Sequence, residues 1–425
     1  MPLIQRRIGL VFALFLFLLA GAVVRGFWLG SVRGSDLKGR ALAQQVQEIQ
    51  VPAQRGTITD RNGLELAVSE DSATVFANPF LIKDPASVAG QLSPLTGIDY
   101  DTLIRKLANR KQGFVYIKRK MDPDKGAAIQ KLKLEGIGVS SEPRRRYPQN
   151  VLASQVLGSV GTDNYGLSGI EQSREDDLHG TDGKRKIVRD ALGKPISLVE
   201  QKRDVPGKNL RLTIDSAIQQ RAESVLQGVG QTFRPKGATA LVMDPRNGEI
   251  LALANWPAVN AADPGNAPAY ARQDRAVAAS YEPGSTFKAF TVAGALEEGM
   301  IQPDTRFDLP PTIQVADRTI KESHDRGYVS LSVGQILAQS SNVGAVKIGL
   351  RQGPTRFDKW VRRFGFGQPT GIDLPGEQQG IVPTPKQYSG SSLGNLPIGQ
   401  GLAVTPIQMA AAYEAIAENG VTHRP

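Results

Sequence analysis

The chain has 425 residues, enough for two or three domains. It has no cysteine, which excludes thiol nucleophiles, redox pairs, thiolate metal sites and disulfides, and its histidines (His179, His324, His423) are too scattered to favour a His-rich metal cluster or a Ser-His-Asp triad. A net charge of +10 points to an anionic partner: a membrane surface, an acidic polymer or nucleic acid.

Residues 8–24 carry no charge, and after Arg25 the apolar stretch continues through Gly26-Phe27-Trp28-Leu29. About 20 helical residues cross a ~30 Å hydrocarbon core, so residues 8–29 suffice for a span, with Arg25 snorkelling toward the interface beside Trp28. The rival reading is a cleaved signal peptide, with Arg6-Arg7 as its basic region and Ala20-Gly21-Ala22 as its cleavage site. Either way the remainder is expected outside the cytoplasm. That disfavours nucleic acid, for which no recognised binding motif occurs.

Residues 31–52 read as a polar helix leading out of the membrane. Asn62-Gly63 reads as a hairpin turn between Thr57-Ile58-Thr59 and Leu64-Glu65-Leu66-Ala67-Val68. Residues 70–206 alternate short strands, short helices and turns. Three basic triplets punctuate them (Lys118-Arg119-Lys120, Arg144-Arg145-Arg146, Lys184-Arg185-Lys186), read as solvated faces or as contacts for lipid headgroups or a partner. A second domain is expected from Gly207. Its opening strand spans residues 210–214, and Asp215 caps a helix with the apolar stripe Ile218, Ala222, Val225 and Leu226. Residues 238–243 and 250–254 form a hairpin about Asn247-Gly248. Thr405-Pro406-Ile407-Gln408 is a capping box for a helix that stops at Asn419-Gly420.

The chemistry is concentrated in Glu282-Pro283-Gly284-Ser285-Thr286-Phe287-Lys288. Pro-Gly breaks the chain, which places Ser285 at a helix start with free N–H groups beside it. Lys288 lies three residues on, on the same face, where its amine can reach the serine hydroxyl and accept its proton. A backbone N–H can contribute to an oxyanion hole. A lysine normally titrates near ~10.4, so a base working near ~7 needs a desolvated site. Ser-x-x-Lys alone is a weak pattern, and a plain N-cap would explain Ser285 equally. Ser340-Ser341-Asn342, a loop between helical stretches 332–339 and 343–350, adds a hydroxyl able to relay a proton and an amide able to hold a substrate amide. Alone, it also fits a capping cluster.

Together these motifs resemble the active site of class B penicillin-binding proteins. Arg55-Gly56-Thr57-Ile58-Thr59-Asp60-Arg61-Asn62-Gly63 resembles the family's juxtamembrane signature, and Gly169-Ile170-Glu171 an element of its amino-terminal domain. Gly371-Ile372-Asp373-Leu374-Pro375-Gly376-Glu377, and Gly399-Gln400-Gly401 followed by residues 404–410, resemble elements of its catalytic domain. The Tyr-Glu-Pro form of the nucleophile motif looks more like the division (septal) branch than the elongation branch.

The resemblance implies a cytoplasmic tail and transmembrane anchor over residues 1–30, a pedestal (dimerisation) domain of mixed α/β structure over 31–206, and an α/β (α+β) transpeptidase domain of the serine β-lactamase type over 207–425. It implies a single-pass protein of the plasma membrane, amino terminus inside. It further implies a DD-transpeptidase that cross-links peptidoglycan from D-Ala-D-Ala stem peptides, with Ser285 as nucleophile, Lys288 as general base, Ser340 as proton relay and Asn342 as binder of the substrate amide. β-Lactams would acylate the same serine. A polytopic glycosyltransferase and division proteins are the implied partners, and no metal or organic cofactor is implied. The family's third motif, Lys-Thr/Ser-Gly, does not occur after the nucleophile. The expectation is a chain cut short before that motif, poorly stable and nearly inactive; the alternatives are an elongation-type enzyme, a β-lactam sensor or β-lactamase, and an inactive scaffold.

Overall fold

A computed structural model describes residues 2–31, 46–189 and 195–425. Contacts divide them into two compact units between which the chain passes repeatedly: Met1–Gln54, Asp71–Arg144 and Gly180–Pro206 in the first, Arg55–Glu70, Arg145–His179 and Gly207–Pro425 in the second.

In the first unit, Pro2–Ser31 is one helix, and its stretch Ile8–Leu29 is apolar and long enough to cross a membrane. Of the polar helix expected over 31–52, residues 32–45 lie outside the described residues, and Val46–Val51 is a strand. Its β-branched Val46, Ile49 and Val51 favour extended backbone, and it pairs antiparallel with Gly183–Arg189, which pairs in turn with Pro195–Lys202. A second sheet joins the latter half of the long strand Glu65–Ala77 to Val115–Met121, with Phe76 opposite Tyr116. The helices Pro85–Thr96, Tyr100–Leu107 and Pro123–Lys131 start at Asp84, Asp99 and Asp122, whose carboxylates accept otherwise orphaned N–H groups. They bury Leu92, Leu103, Leu107 and Ile129 against Val75 and Ile117.

In the second unit, Ile58–Thr59 pairs antiparallel with the start of Glu65–Ala77 and parallel with Leu210–Arg211. The expected turn is present, and Asp60 closes it by accepting from the N–H groups of Asn62 and Leu64 (both 2.8 Å). The strand expected over 210–214 is only Leu210–Arg211. Asp215 caps the helix Ser216–Phe233, which packs on the hairpin Ala238–Met243/Ile250–Trp256. The apolar stripe differs from expectation. Leu226 is buried, but Val225 is half exposed, and the packed face also carries Gln219 and Gly230. Gln219 earns its buried place by bonding both the N–H and the carbonyl of Leu253, and a Cβ at Gly230 would stand 2.1 Å from the Trp256 ring.

The basic triplets are not uniformly solvated. Arg145 turns inward and is 8% exposed, because strand alternation sends it to the opposite face from Arg146. It meets Glu171 at 2.6 Å, and Glu171 also receives Arg55 at 3.0 Å. The Arg-Gly-Thr and Gly-Ile-Glu elements thus meet in one buried ion cluster.

Candidate active site

Ser285 stands in a 3₁₀ turn, Gly284–Phe287, that runs into the helix Lys288–Glu297. Three contacts from the segment 399–404 hold this turn. Tyr281 exchanges backbone hydrogen bonds with Val404 (both 2.9 Å), Gly284 N–H donates to Gly399 O (3.0 Å), and Gly401 N–H donates to the Glu282 carboxylate (2.9 Å). A Cβ at Gly399, whose φ is +75°, would sit 2.2 Å from Gly284 O, so that position needs glycine. Behind the turn, Phe287, Phe290, Phe366 and Tyr413 pack ring on ring with centroids 4.9–5.5 Å apart. Tyr413 donates its hydroxyl to Thr286 O (2.7 Å). The nucleophile turn is therefore fixed from behind while Ser285 itself is exposed.

Lys288 is buried (2% exposed), an unusual place for an ammonium. Its Nζ donates to Ser340 O (2.6 Å), Ser340 Oγ (3.1 Å) and Asn342 Oδ1 (2.7 Å). The loop presents these acceptors because Ser340 adopts a left-handed backbone (φ 52°) between the helices Val333–Ala338 and Asn342–Arg363. Burial lowers the lysine pKa from 10.5 to about 8, with Arg326 adding to the fall and Glu322 opposing it. All three acceptors are neutral, so no carboxylate directly locks the proton onto the amine.

The structure thus brings Lys288, Ser340 and Asn342 together. It does not join Ser285 to them by a hydrogen bond, contrary to the direct lysine–serine contact expected from the spacing: among the described residues the Ser285 hydroxyl has no hydrogen-bond partner. Ser285 and Lys288 are one 3₁₀ turn apart, but the lysine amine donates to the three acceptors of the Ser-Ser-Asn turn. Sequence reasoning did not register Glu322 and Arg326, which come from the loop after a small hairpin, Thr312–Val315/Arg318–Lys321, and obey no fixed spacing to either motif. The Glu282–Gly401 clasp was equally hidden, because its two residues lie 119 apart in sequence.

An exposed hydroxyl on a rigid turn, a desolvated amine poised near neutrality, a second hydroxyl on that amine and a fixed side-chain amide are the parts of a nucleophilic acyl-transfer site.

Comparison with known proteins gives the same picture. Residues 238–425 match the penicillin binding protein transpeptidase domain, and residues 50–212 match the penicillin-binding protein dimerisation domain. The chain is 34% identical to a probable peptidoglycan D,D-transpeptidase, PenA, of Neisseria meningitidis, over 98% of this chain and 72% of that one. It is 30% identical to the peptidoglycan D,D-transpeptidase FtsI of Escherichia coli, over 99% and 72%. Among solved structures, penicillin binding protein 3 of Mycobacterium tuberculosis complexed with ampicillin superposes with a TM-score of 0.65 at 29% identity, covering 89% of this chain and 66% of that one.

Proposed function

Because the chain belongs to the class B penicillin-binding proteins, we propose that it is a peptidoglycan D,D-transpeptidase of the division branch, acting by serine acyl transfer through Ser285. The observation that carries this reading is the buried Lys288 amine held on Ser340 and Asn342 beside an exposed serine.

In the first half-reaction Ser285 Oγ attacks the carbonyl of the penultimate D-alanine of a stem peptide. Lys288, in its neutral form, takes the serine proton. Ser340, hydrogen-bonded to the same amine, passes a proton to the departing D-alanine nitrogen, leaving an ester on Ser285. Asn342 holds the acyl-side amide. In the second half-reaction an amine of a neighbouring stem peptide attacks the ester, loses its proton by the reverse relay and leaves as the cross-linked product. A β-lactam enters by the first half alone: its ring amide opens, and the leaving nitrogen stays tethered in the adduct.

The apolar helix over Ile8–Leu29 is compatible with a single-pass anchor. We read residues 1–30 as tail and anchor with the amino terminus inside, 31–206 as the pedestal and 207–425 as the transpeptidase domain, with segments 55–70 and 145–179 packed into the catalytic unit. A polytopic glycosyltransferase that supplies the glycan strands, and division proteins, are the partners that fit such a pedestal.

The test is fluorescent-penicillin labelling of the protein as its gene encodes it, purified in detergent, with the adduct mapped by mass spectrometry. Label on the peptide containing Ser285, absent from Ser285→Ala, is expected. Label that persists in the variant or maps elsewhere refutes the assignment.

A further inference from the structure

We propose that Glu322 is a positioning residue: its carboxylate sets the Ser340-Ser341-Asn342 turn so that the turn's acceptors face Lys288. This rests on the serine–lysine reading above. Four donors converge on the Glu322 side chain, which is 6% exposed. Oε2 accepts from Asn342 N–H (2.8 Å). Oε1 accepts from Ser341 Oγ–H (2.7 Å), Val343 N–H (3.2 Å) and the Arg326 guanidinium.

The consequence for Asn342 is specific. Its backbone N–H is taken by Glu322, and its side-chain Nδ2 donates to the neighbouring carbonyl, Lys321 O (3.0 Å). With Nδ2 so engaged, the amide can turn only Oδ1 toward Lys288, as it does at 2.7 Å. The residue pair 321–322 therefore dictates which end of the Asn342 amide meets the catalytic amine. Ser341 completes the latch. It is fully buried, donates to Glu322, and accepts from Gly344 N–H (2.9 Å) and Arg326 Nη2 (2.6 Å). In this geometry the middle serine of the motif serves the latch, leaving Ser340 and Asn342 to serve the lysine.

A simple helix cap would share part of this geometry: a carboxylate at the start of Asn342–Arg363 is favourable in its own right. The two roles differ in what they do to Lys288. Glu322 and Arg326 are the charged groups facing the amine, with opposite effects on its titration. Hydrogen bonds from Ser341, Asn342 and Arg326 keep the Glu322 carboxyl below its ordinary range despite its burial, so it stays ionised at neutral pH.

The experiment measures penicillin acylation rates from pH 5.5 to 9.5 for wild type, Glu322→Gln and Glu322→Asp, together with thermal unfolding and hydrogen exchange over residues 340–346. In Glu322→Gln the rate at pH 8 falls by about 10- to 100-fold, as loss of orientation does, and the acid limb moves to lower pH because the group favouring the protonated amine is gone. Glu322→Asp recovers most of the rate, and amide exchange at 342–344 quickens in Glu322→Gln alone. A rate within about twofold of wild type, or a loss with an unmoved acid limb and no rescue by aspartate, overturns the proposal. If wild type itself takes no label at Ser285, the serine–lysine reading fails instead. Exchange then decides the latch: unchanged exchange at 342–344 in Glu322→Gln overturns it.

Discussion

Two buried cationic sites in the second unit are built on opposite plans. Around Glu171, Arg55 and Arg145 lie at 2% and 8% exposure, and their charge is met by charge: Arg55 contacts Glu171 and Glu175 at 2.9 and 2.8 Å, and Arg145 contacts Glu171 at 2.6 Å. Backbone carbonyls of Asn164, Glu171 and Gly56 take further guanidinium N–H groups. Lys288 is buried as deeply, yet its three acceptors are neutral and its amine is pushed to about 8. Guanidinium never gives up its proton in a protein, so the first site is a permanent clamp. An ammonium robbed of water and left without a direct counter-ion can give it up, so the second is a reagent. Framework charges are paired; the charge that must come and go is left underpaired.

The largest expected effect tests the reagent. Lys288→Met should lower penicillin acylation by about 10²–10⁴-fold, the usual contribution of a general base. The same change should leave the melting temperature unchanged or higher, since it removes a poorly compensated buried charge. The pH dependence follows. The folded protein releases this proton near 8 and the unfolded chain near 10.5, so below about 8 the burial penalty is present in full. As pH rises from 8 toward 10.5 the unfolded chain binds more protons, and wild type gains stability relative to Lys288→Met. The acylation rate should climb through pH 8 as the neutral amine appears. A variant that is both inactive and much less stable would erase the distinction between the two sites.

The clamp should answer in the opposite way. Glu171→Ala strips the buried Arg145 guanidinium of its carboxylate and leaves Arg55 with Glu175 as its carboxylate partner, and breaking such a site costs about 3–5 kcal/mol, measurable as a fall in the urea midpoint. A loss below about 1 kcal/mol would mean that water reaches Arg55 and Arg145 and that the pairing is incidental.

Asp274 is a further buried ionisable group, and it falls between the two plans. Burial raises its pKa to about 7, opposed by the Ala276 N–H that one carboxylate oxygen caps and by the Asn255 side chain. Because the folded state holds this proton more tightly than the unfolded one, the group costs stability as pH rises from about 4 to about 7, and the cost is complete above that. Asp274→Asn keeps the cap and removes the charge. It should raise stability by about 1–2 kcal/mol at pH 8 and by less at pH 5, read from melts at the two pH values.

The sites differ in how far they could be read beforehand. Ser285 and Lys288 were legible because helical spacing places them on one face, and Ser340 and Asn342 because a serine–lysine nucleophile raises the weight of a second polar turn. The partner of the amine was not legible: spacing along one helix says nothing about a loop 52 residues on, where the amine finds its acceptors. Glu322 and the Arg55–Glu171–Arg145 cluster were hidden for the same reason. Arg326 aside, which lies four residues from Glu322, their partners lie 19 to 116 residues apart, and only the fold brings them together. Local signals fared better: the Asp215 cap, the Asn62-Gly63 turn and the Thr405 capping box all depend on atoms within four residues. The helix Ser216–Phe233 marks the limit of local reasoning. A polar Gln219 is buried while Val225 is half exposed, because Leu253 offers a backbone N–H and carbonyl that glutamine can satisfy and valine cannot.

The smallest expected effect probes whether framework and reagent are separable even where they adjoin. Thr405 is fully buried at the start of the helix Pro406–Ala417 and follows Val404, whose backbone pairs with Tyr281 just ahead of the nucleophile turn. Its Oγ accepts from Gln408 N–H (3.3 Å), and Gln408 Oε1 accepts from Thr405 N–H (2.9 Å). Thr405→Ala removes one half of this reciprocal cap and keeps the other, so the loss should be about 1 kcal/mol. Gln408 also donates to the carbonyls of Gln368 and Gln379 (2.7 and 2.9 Å), which should hold the helix start in place without the threonine hydroxyl. Acylation of Ser285 should then stay within about twofold of wild type, with its rise through pH 8 unmoved, while the melt shifts down by a few degrees. A tenfold loss of labelling would instead show that the Val404–Tyr281 pairing transmits strain to the serine, and that this stretch of framework belongs with the reagent.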